Sequence, residues 1–455
     1  MTLSRKALIL GLLWGGASML VWTFGAYELS YGRLPDLHSR YIATLLSIAD
    51  SGRWSQLLVQ YPFLPLVLCV AYPSMKMLLA VGALAVGGLA VCLSLTQPNR
   101  LFSVAIAAAF ISPLGIELAS RQVAGALGLC LVGGTLVLFR RHLETRRLTD
   151  LFYLSVSLGV AVYATPLALP IGIGMWAFHL LASPRSPNEN VAFGLAILAP
   201  VVTAALGWAY TEWALAFQVQ GPVYDFSVPS QPMWTSLTMA PFYVIVTGWT
   251  LLRSPTWMDF SLFVPLFAVF CTWLLGLSGS TAIGAGVLVA GAAALAPIRR
   301  FSGKLAYACA LVLQIIVFWI AFWPTPPSNE DQYRADMTES IASEVTRAGT
   351  DKVLADPRVT PRIFVRASSS KPFLTPFHDS YFPSMLAPRL LVDYVLTGPT
   401  SATTQSDLVQ THGDGPPFGF QVEWKWEGIR LDRRQDLDSL QSRPDPLGLT
   451  SPPGD

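Results

Sequence analysis

Long apolar runs broken by short polar stretches fill the chain as far as about Pro324, where the pattern changes to mixed polar and charged positions. A hydrocarbon core roughly 30 Å thick takes about 20 helical residues to cross, so the runs are read as membrane spans. They fall at 7–29, 75–97, 101–119, 123–139, 151–164, 167–182, 191–217, 237–252, 258–277, 281–297 and 305–323, eleven in all. The two members flanking Thr165-Pro166 are both short and read also as one kinked helix. Residues 62–73 are apolar over too short a stretch to cross and read as re-entrant or interfacial. The polar interruption from Glu28 to Pro65 has its own period. Leu37, Tyr41, Leu45 and Ile48 recur at helical spacing while Asp36, His38, Arg40 and Asp50 fall elsewhere, which predicts an amphipathic helix over 36–50 lying flat on the membrane. Ser51-Gly52 ends it, and Trp54 and Tyr61 stand as interfacial aromatics before Pro62 and Pro65.

Beyond Pro324 a helix is predicted near 333–347, marked by Met337, Ile341 and Val345. Strand-like runs follow at Lys352–Ala355, Arg362–Ala367 and Leu390–Thr397, with a hairpin from Phe418 to Leu431. The domain reading is therefore a transmembrane part over 1–323 with a loop at 30–65, an α/β part over 324–434, and a disordered tail over 435–455 rich in Pro, Asp and Ser.

Composition sharpens this picture. With 53% hydrophobic and 13% charged residues, the chain is too poor in charge for a soluble domain of its length. Residues 1–324 hold 17 Lys or Arg and 10 acids, whereas the remainder holds 13 and 18, so the two parts suit different solvents. Under the eleven-span scheme twelve basic residues of the first part fall on the N-terminal side and only five, Arg33, Arg40, Arg53, Lys76 and Arg121, on the other. Cytoplasmic loops collect Lys and Arg, so the N-terminus is expected in the cytoplasm and the 30–65 loop and C-terminal part outside. Joining the Thr165-Pro166 pair into one span would move Arg253, Arg299, Arg300 and Lys304 outside, so the charges favour two. The expected fold class is an α-helical polytopic membrane protein with about eleven transmembrane helices and a small C-terminal α/β extracytoplasmic domain, located in the inner (plasma) membrane. The five cysteines lie in apolar runs without CxxC spacing or a His cluster, which supports neither a disulfide framework nor a zinc site. No basic stripe interleaved with aromatics marks a nucleic-acid surface.

Ionisable groups beside spans are costly and invite a functional reading, roughly 2.5 to 3.5 kcal/mol at a helix centre. Here they gather on one side: Glu28, Asp36, Asp50, Glu117, Glu212, Asp225, Lys76 and Arg121 fall at or near the expected outer face. Carboxylates and cations in one cleft suit removal of a proton from an acceptor and neutralisation of a phosphate leaving group. Solvated span ends account for any single one of them equally simply.

Pro35-Asp36-Leu37-His38-Ser39-Arg40-Tyr41 and then Tyr61-Pro62-Phe63-Leu64-Pro65, following one long span, resemble the first external loop of the GT-C superfamily of integral membrane glycosyltransferases, the class of protein mannosyltransferases and lipid A aminoarabinose transferases. Ser112-Pro113 followed by Arg121, and the later Val392-Asp393-Tyr394-Val395-Leu396 and Gly428-Ile429-Arg430-Leu431, are similar to that family in layout. The resemblance implies an inverting transferase that moves a sugar from a polyprenyl-phosphate carrier to an extracytoplasmic acceptor (lipid, glycan or protein), with membrane lipid around it and no nucleic acid. It implies Asp36 as general base, Lys76 and Arg121 against the carrier phosphate, and His38, Arg40, Tyr61 and Asp225 among the substrate contacts. Leu37 stands where the family has a second acid, which counts against a divalent metal and leaves Asp36 as the only matching carboxylate. Two rivals have other signatures. A polymerase or ligase using a lipid-linked glycan centres on a later external loop with arginines, but 218–236 holds no Arg or Lys. A transporter or non-catalytic assembly subunit shows charges deep in spans or an internal repeat, and neither is visible.

Overall fold

The computed structural model describes residues 5–30, 34–60, 62–97, 99–182, 187–216, 233–252, 256–275, 280–296, 304–323, 328–398, 407–413, 415–426 and 428–435. The helices in order are α1 (Arg5–Ser30), α2 (Asp36–Ser51), α3 (Phe63–Cys69), α4 (Met75–Ser94), α5 (Arg100–Ile111), α6 (Pro113–Arg121), α7 (Val123–Thr145), α8 (Leu148–Ala161), α9 (Ala168–Ala182), α10 (Pro187–Ala216), α11 (Met233–Thr238), α12 (Pro241–Leu252), α13 (Phe263–Leu274), α14 (Thr281–Leu295), α15 (Lys304–Phe322), α16 (Asn329–Arg347), α17 (Pro361–Ala367), α18 (Tyr381–Leu386), α19 (Pro388–Leu391) and α20 (Asp407–His412). The strands are β1 (Val353–Ala355), β2 (Phe373–Leu374), β3 (Tyr394–Thr397), β4 (Phe420–Trp426) and β5 (Ile429–Arg434). Two compact units result: Met1–Leu45 with Arg53–Ala335, and Leu46–Gly52 with Asp336–Asp455.

In the first unit each of the eleven apolar segments is helical among the described residues. Among the described residues five helices are long and apolar enough to cross a membrane, and a sixth crossing arises if the bent pair α5 and α6 is one span. The other apolar helices, α8, α9, α12, α13 and α14, are shorter than a full crossing. This is consistent with a helical membrane protein. The 101–119 segment is not one straight span. Pro113 cannot continue the ladder and forces Ser112 out of the helical region, to ψ −180°, so the chain restarts at a 42° bend. At Thr165-Pro166 the chain reverses. A methyl on Gly172 would stand 3.0 Å from Leu158, a pair that a single continuous helix would hold about 21 Å apart.

Small residues let the helices approach. A methyl on Gly82 would lie 2.7 Å from the Ala119 Cα, and one on Gly87 would lie 2.9 Å from the Ser18 backbone nitrogen, so α4 packs backbone to backbone on α6 and α1. α14 is mostly Gly, Ala and Val, and its residues from Gly284 to Leu295 are buried all round; it forms the centre of this unit. α1 is the opposite. Leu8, Leu12, Leu13, Met19 and Phe24 are exposed, which is unfavourable in water and natural against lipid.

α2 differs from the flat interfacial helix expected. Tyr41, Ile42, Ala43, Leu45 and Ile48 are buried, and so are the polar His38, Ser39, Thr44 and Ser47, which leaves Asp36, Ala49 and Asp50 exposed. Protein, not lipid, surrounds most of this helix.

The second unit holds a five-stranded sheet in the order β2-β1-β3-β5-β4, parallel among β1, β2 and β3 and antiparallel among β3, β5 and β4. Leu354, Leu374 and Val395 share one face and form a core with Tyr381, Met385, Val392, Leu408 and Phe420. On the opposite face Phe373 stacks on Phe364 of α17, ring centroids 3.8 Å apart. Residues 362–367, expected as a strand, are therefore helical. Pro361 favours a helix start, and burial of Ile363 and Phe364 on one side decides against alternation. The predicted hairpin is formed by β4 and β5, and the 435–455 tail lies almost wholly outside the described residues.

Candidate functional site

Two packed pairs fix which helix ends of the first unit meet. Gly25 of α1 lies against Leu79 of α4, and Gly82 of α4 lies against Ala119 of α6. Glu28 follows Gly25 by one turn, Lys76 precedes Leu79 by one turn, and Arg121 follows Ala119. All three therefore lie at one end of the bundle. α2 joins the same end, because Nε2 of His38 accepts a hydrogen bond from the Val123 backbone N–H at 3.0 Å, two residues beyond Arg121. Asp36 opens this helix, exposed, in the first turn where a carboxylate meets the positive end of the helix dipole.

Arg121 sits in the last turn of α6, the favourable end for a cation. Its guanidinium is 3.1 Å from Glu117 one turn earlier and 4.0 Å from Glu28 of α1. The three enclose a cavity of about 220 Å³ with Ser120 and with Ala321, Phe322 and Trp323 at the end of α15. The Arg121 side chain is 41% exposed and the carboxylates 14% and 20%, so the cation faces solvent from a more buried acidic seat. An anion arriving there competes with Glu28, the looser partner. Lys76 is exposed in the first turn of α4, which Ser74 caps by accepting from the Met77 N–H at 3.2 Å.

The other expected site residues fare differently. His38 is fully buried, and burial holds its imidazole down at about 3, so it is a neutral acceptor inside the bundle and not a surface group open to substrate. Arg40 is half-buried on α2. Tyr61 and Asp225 lie outside the described residues. In the sequence Glu28, Glu117 and Arg121 stand apart. The i,i+4 spacing of the last two announced their pair, but nothing in the sequence announced the α15 end with Trp323.

A second polar group lies in the second unit. His378 Nε2 is 3.9 Å from Asp50, on the last turn of α2, and its Nδ1 lies 3.0 Å from the Thr375 hydroxyl and accepts from the Thr375 N–H at 3.2 Å. A backbone N–H can only donate, so Nδ1 is unprotonated and Nε2 carries the proton towards Asp50. Ser370 Oγ donates to the Leu46 carbonyl at 2.8 Å and ties the same turn of α2 to this unit. The segments Val392–Leu396 and Gly428–Leu431 also meet. They run into β3 and β5, with Leu396 opposite Leu431 and Thr397 opposite Arg430. There Asp432 is fully buried beside Arg430 at 2.9 Å, and desolvation raises its carboxyl above the usual range despite that cation. No protein-family model matches this chain, and no curated protein matches it either.

Proposed function

We propose that the chain is a membrane glycosyltransferase of the GT-C type, transferring a sugar from a polyprenyl-phosphate carrier to an extracytoplasmic acceptor with inversion. One observation carries the reading: the helix that Asp36 opens and the ends bearing Lys76, Arg121, Glu28 and Glu117 converge at one end of the first unit. In this mechanism the acceptor hydroxyl oxygen attacks the anomeric carbon, its proton passes to Asp36, and the bond to the carrier phosphate breaks. Lys76 neutralises the leaving phosphate, and Arg121 does so when it gives up its contact with Glu28. The cavity edge at Phe322 and Trp323 supplies apolar surface for the start of the lipid chain. His38 keeps α2 seated, a positioning role.

The finer architecture belongs to the same proposal. All eleven apolar segments cross or enter the membrane, the N-terminus is cytoplasmic, and the converged end and C-terminal unit are extracytoplasmic, as the twelve-to-five charge asymmetry supports. Reporter fusions after Thr145 and Lys304 are then cytoplasmic and those after Ser328 external; a cytoplasmic signal at Ser328 contradicts the orientation. The function is tested with purified chain in phosphatidylethanolamine and phosphatidylglycerol vesicles, offered a panel of polyprenyl-phosphate sugars and polyprenyl-diphosphate glycans. Turnover of a monophosphate donor is the expected result. Turnover of diphosphate donors alone overturns the reading in favour of a polymerase or ligase.

A further inference from the structure

α18 and α19 of the second unit are apolar on both sides. Tyr381, Met385 and Pro388 are buried, while Phe382 and Leu386 of α18 and Leu390 of α19 are 61%, 74% and 80% exposed. Leu391 is also exposed, and the neighbouring Phe418 is 87% exposed. A surface helix of a water-soluble domain carries polar residues on its outer side, and a contiguous apolar patch of large side chains marks a surface made to be covered. The patch has a cation within it. The Arg389 guanidinium lies over the Phe418 ring, 5.9 Å from its centroid, and its stem lies against Gly419, where a methyl would come within 2.7 Å of Cδ. Arg434 borders it, donating to the Arg389 carbonyl at 3.2 Å and pairing with Asp393 at 3.1 Å. Asp379 precedes α18 as the nearest exposed acid in sequence.

Leu and Phe side chains surrounding an Arg whose stem runs along apolar surface is the chemistry of the lipid interface, where the side chains enter the acyl boundary and the guanidinium meets phosphate. The chain also supplies the lipid. α15 is long and apolar enough to cross a membrane and ends at Phe322, and the second unit resumes at Asp336. Only the stretch from Phe322 to the start of α16 at Asn329 can extend, and it reaches roughly 25 Å at most, so a bilayer is always within reach at high effective concentration.

We propose that Phe382, Leu386, Leu390 and Phe418, with Arg389, form a bilayer-docking surface by which the second unit rests in the headgroup region of an anionic membrane. The test uses the full chain in phosphatidylethanolamine and phosphatidylglycerol vesicles, with a photo-crosslinking p-benzoylphenylalanine placed singly at Leu386, at Phe418 or, as control, at the exposed Glu339 of α16. Lipid adducts at 386 and 418 should exceed those at 339 at least tenfold. Adding Leu386→Asp and Leu390→Asp to the chain probed at 418 should cut its lipid adducts at least tenfold, since withdrawing two buried leucines from an apolar phase costs about that factor or more. Because all the replaced side chains are exposed, the single-probe chains test the contact even if the double variant folds poorly. Exchanging phosphatidylglycerol for phosphatidylcholine should lower the yield at 418 several-fold. Crosslinks from 386 and 418 to protein, whether a second copy or the same chain, overturn the proposal. So do lipid adducts no greater than at 339, and an unchanged yield in phosphatidylcholine overturns the anionic-headgroup contact.

Discussion

The two ends of α2 carry the same chemistry in the sequence and meet different fates in the fold. Asp36 with His38 opens the helix in the first unit, and Asp50 closes it in the second. Near Asp36 the histidine is sealed away, its Nε2 committed to the Val123 N–H. Near Asp50 a histidine from a distant part of the sequence, His378, comes to 3.9 Å with its other nitrogen held by Thr375. Proximity in sequence thus put a histidine beside the wrong carboxylate. Both carboxylates are exposed, so their partners and not their exposure tell them apart: Asp36 opens the helix in the first unit, and Asp50 lies against His378 in the second.

Asp36→Asn is expected to have the largest effect. Asn is as well tolerated as Asp at a helix start, where the charge is worth about 0.3–1 kcal/mol, so expression should persist while turnover falls roughly 10²- to 10⁴-fold. Turnover within a few fold of wild type transfers the role of base to Glu28. Arg121→Gln comes next. It keeps a donor near Glu117 but removes the charge that would meet a phosphate, and kcat of the folded fraction should fall roughly 10²-fold in a vesicle assay.

His38→Leu is expected to act on stability, not on chemistry. It strips the acceptor from a buried N–H, at about 1–3 kcal/mol, and should leave the kcat of the folded fraction near wild type. It should also remove a pH dependence. The folded imidazole is held down to about 3 against 6.5 in the unfolded chain, so between those values the unfolded state binds the extra proton. Stability is fully present above pH 6.5 and is lost as pH falls towards 3, by roughly 1.4 kcal/mol per unit. Thermal melts of both proteins between pH 7 and 4.5 check this, and parallel curves would contradict it. Smallest of all is Asp50→Asn. A partly exposed His–Asp contact is worth about 0.2–1 kcal/mol, so activity should stay within a few fold and the melting temperature should shift slightly.

Legibility in the sequence followed the strength of the local signal. The apolar segments were plain because a membrane demands long uniform runs, and among the described residues five helices, or six with the bent pair, have the length of a crossing. The bend at Ser112-Pro113 was written in a dipeptide but was overridden by the apolar run around it. The strand expected at 362–367 failed because three or four apolar residues fit either period, and only packing of Phe364 on Phe373 decides. Burial of His38 was illegible for another reason. The helical wheel put it off the apolar stripe, but α2 is enclosed on most sides, and no period of its own sequence records a partner at Val123. The convergence of Glu28, Lys76 and Arg121 was legible only as a shared side, since helix contacts through Gly25 and Gly82 set the distances.

A single displacement at a monophosphate-linked sugar, with a carboxylate taking the acceptor proton, is decided by the anomeric configuration of the product, read by NMR after turnover of a polyprenyl-phosphate sugar of known anomer by the purified chain in vesicles. The inverted anomer is expected, with one polyprenyl phosphate released per sugar transferred. Retention of configuration, or release of a polyprenyl diphosphate, would contradict it.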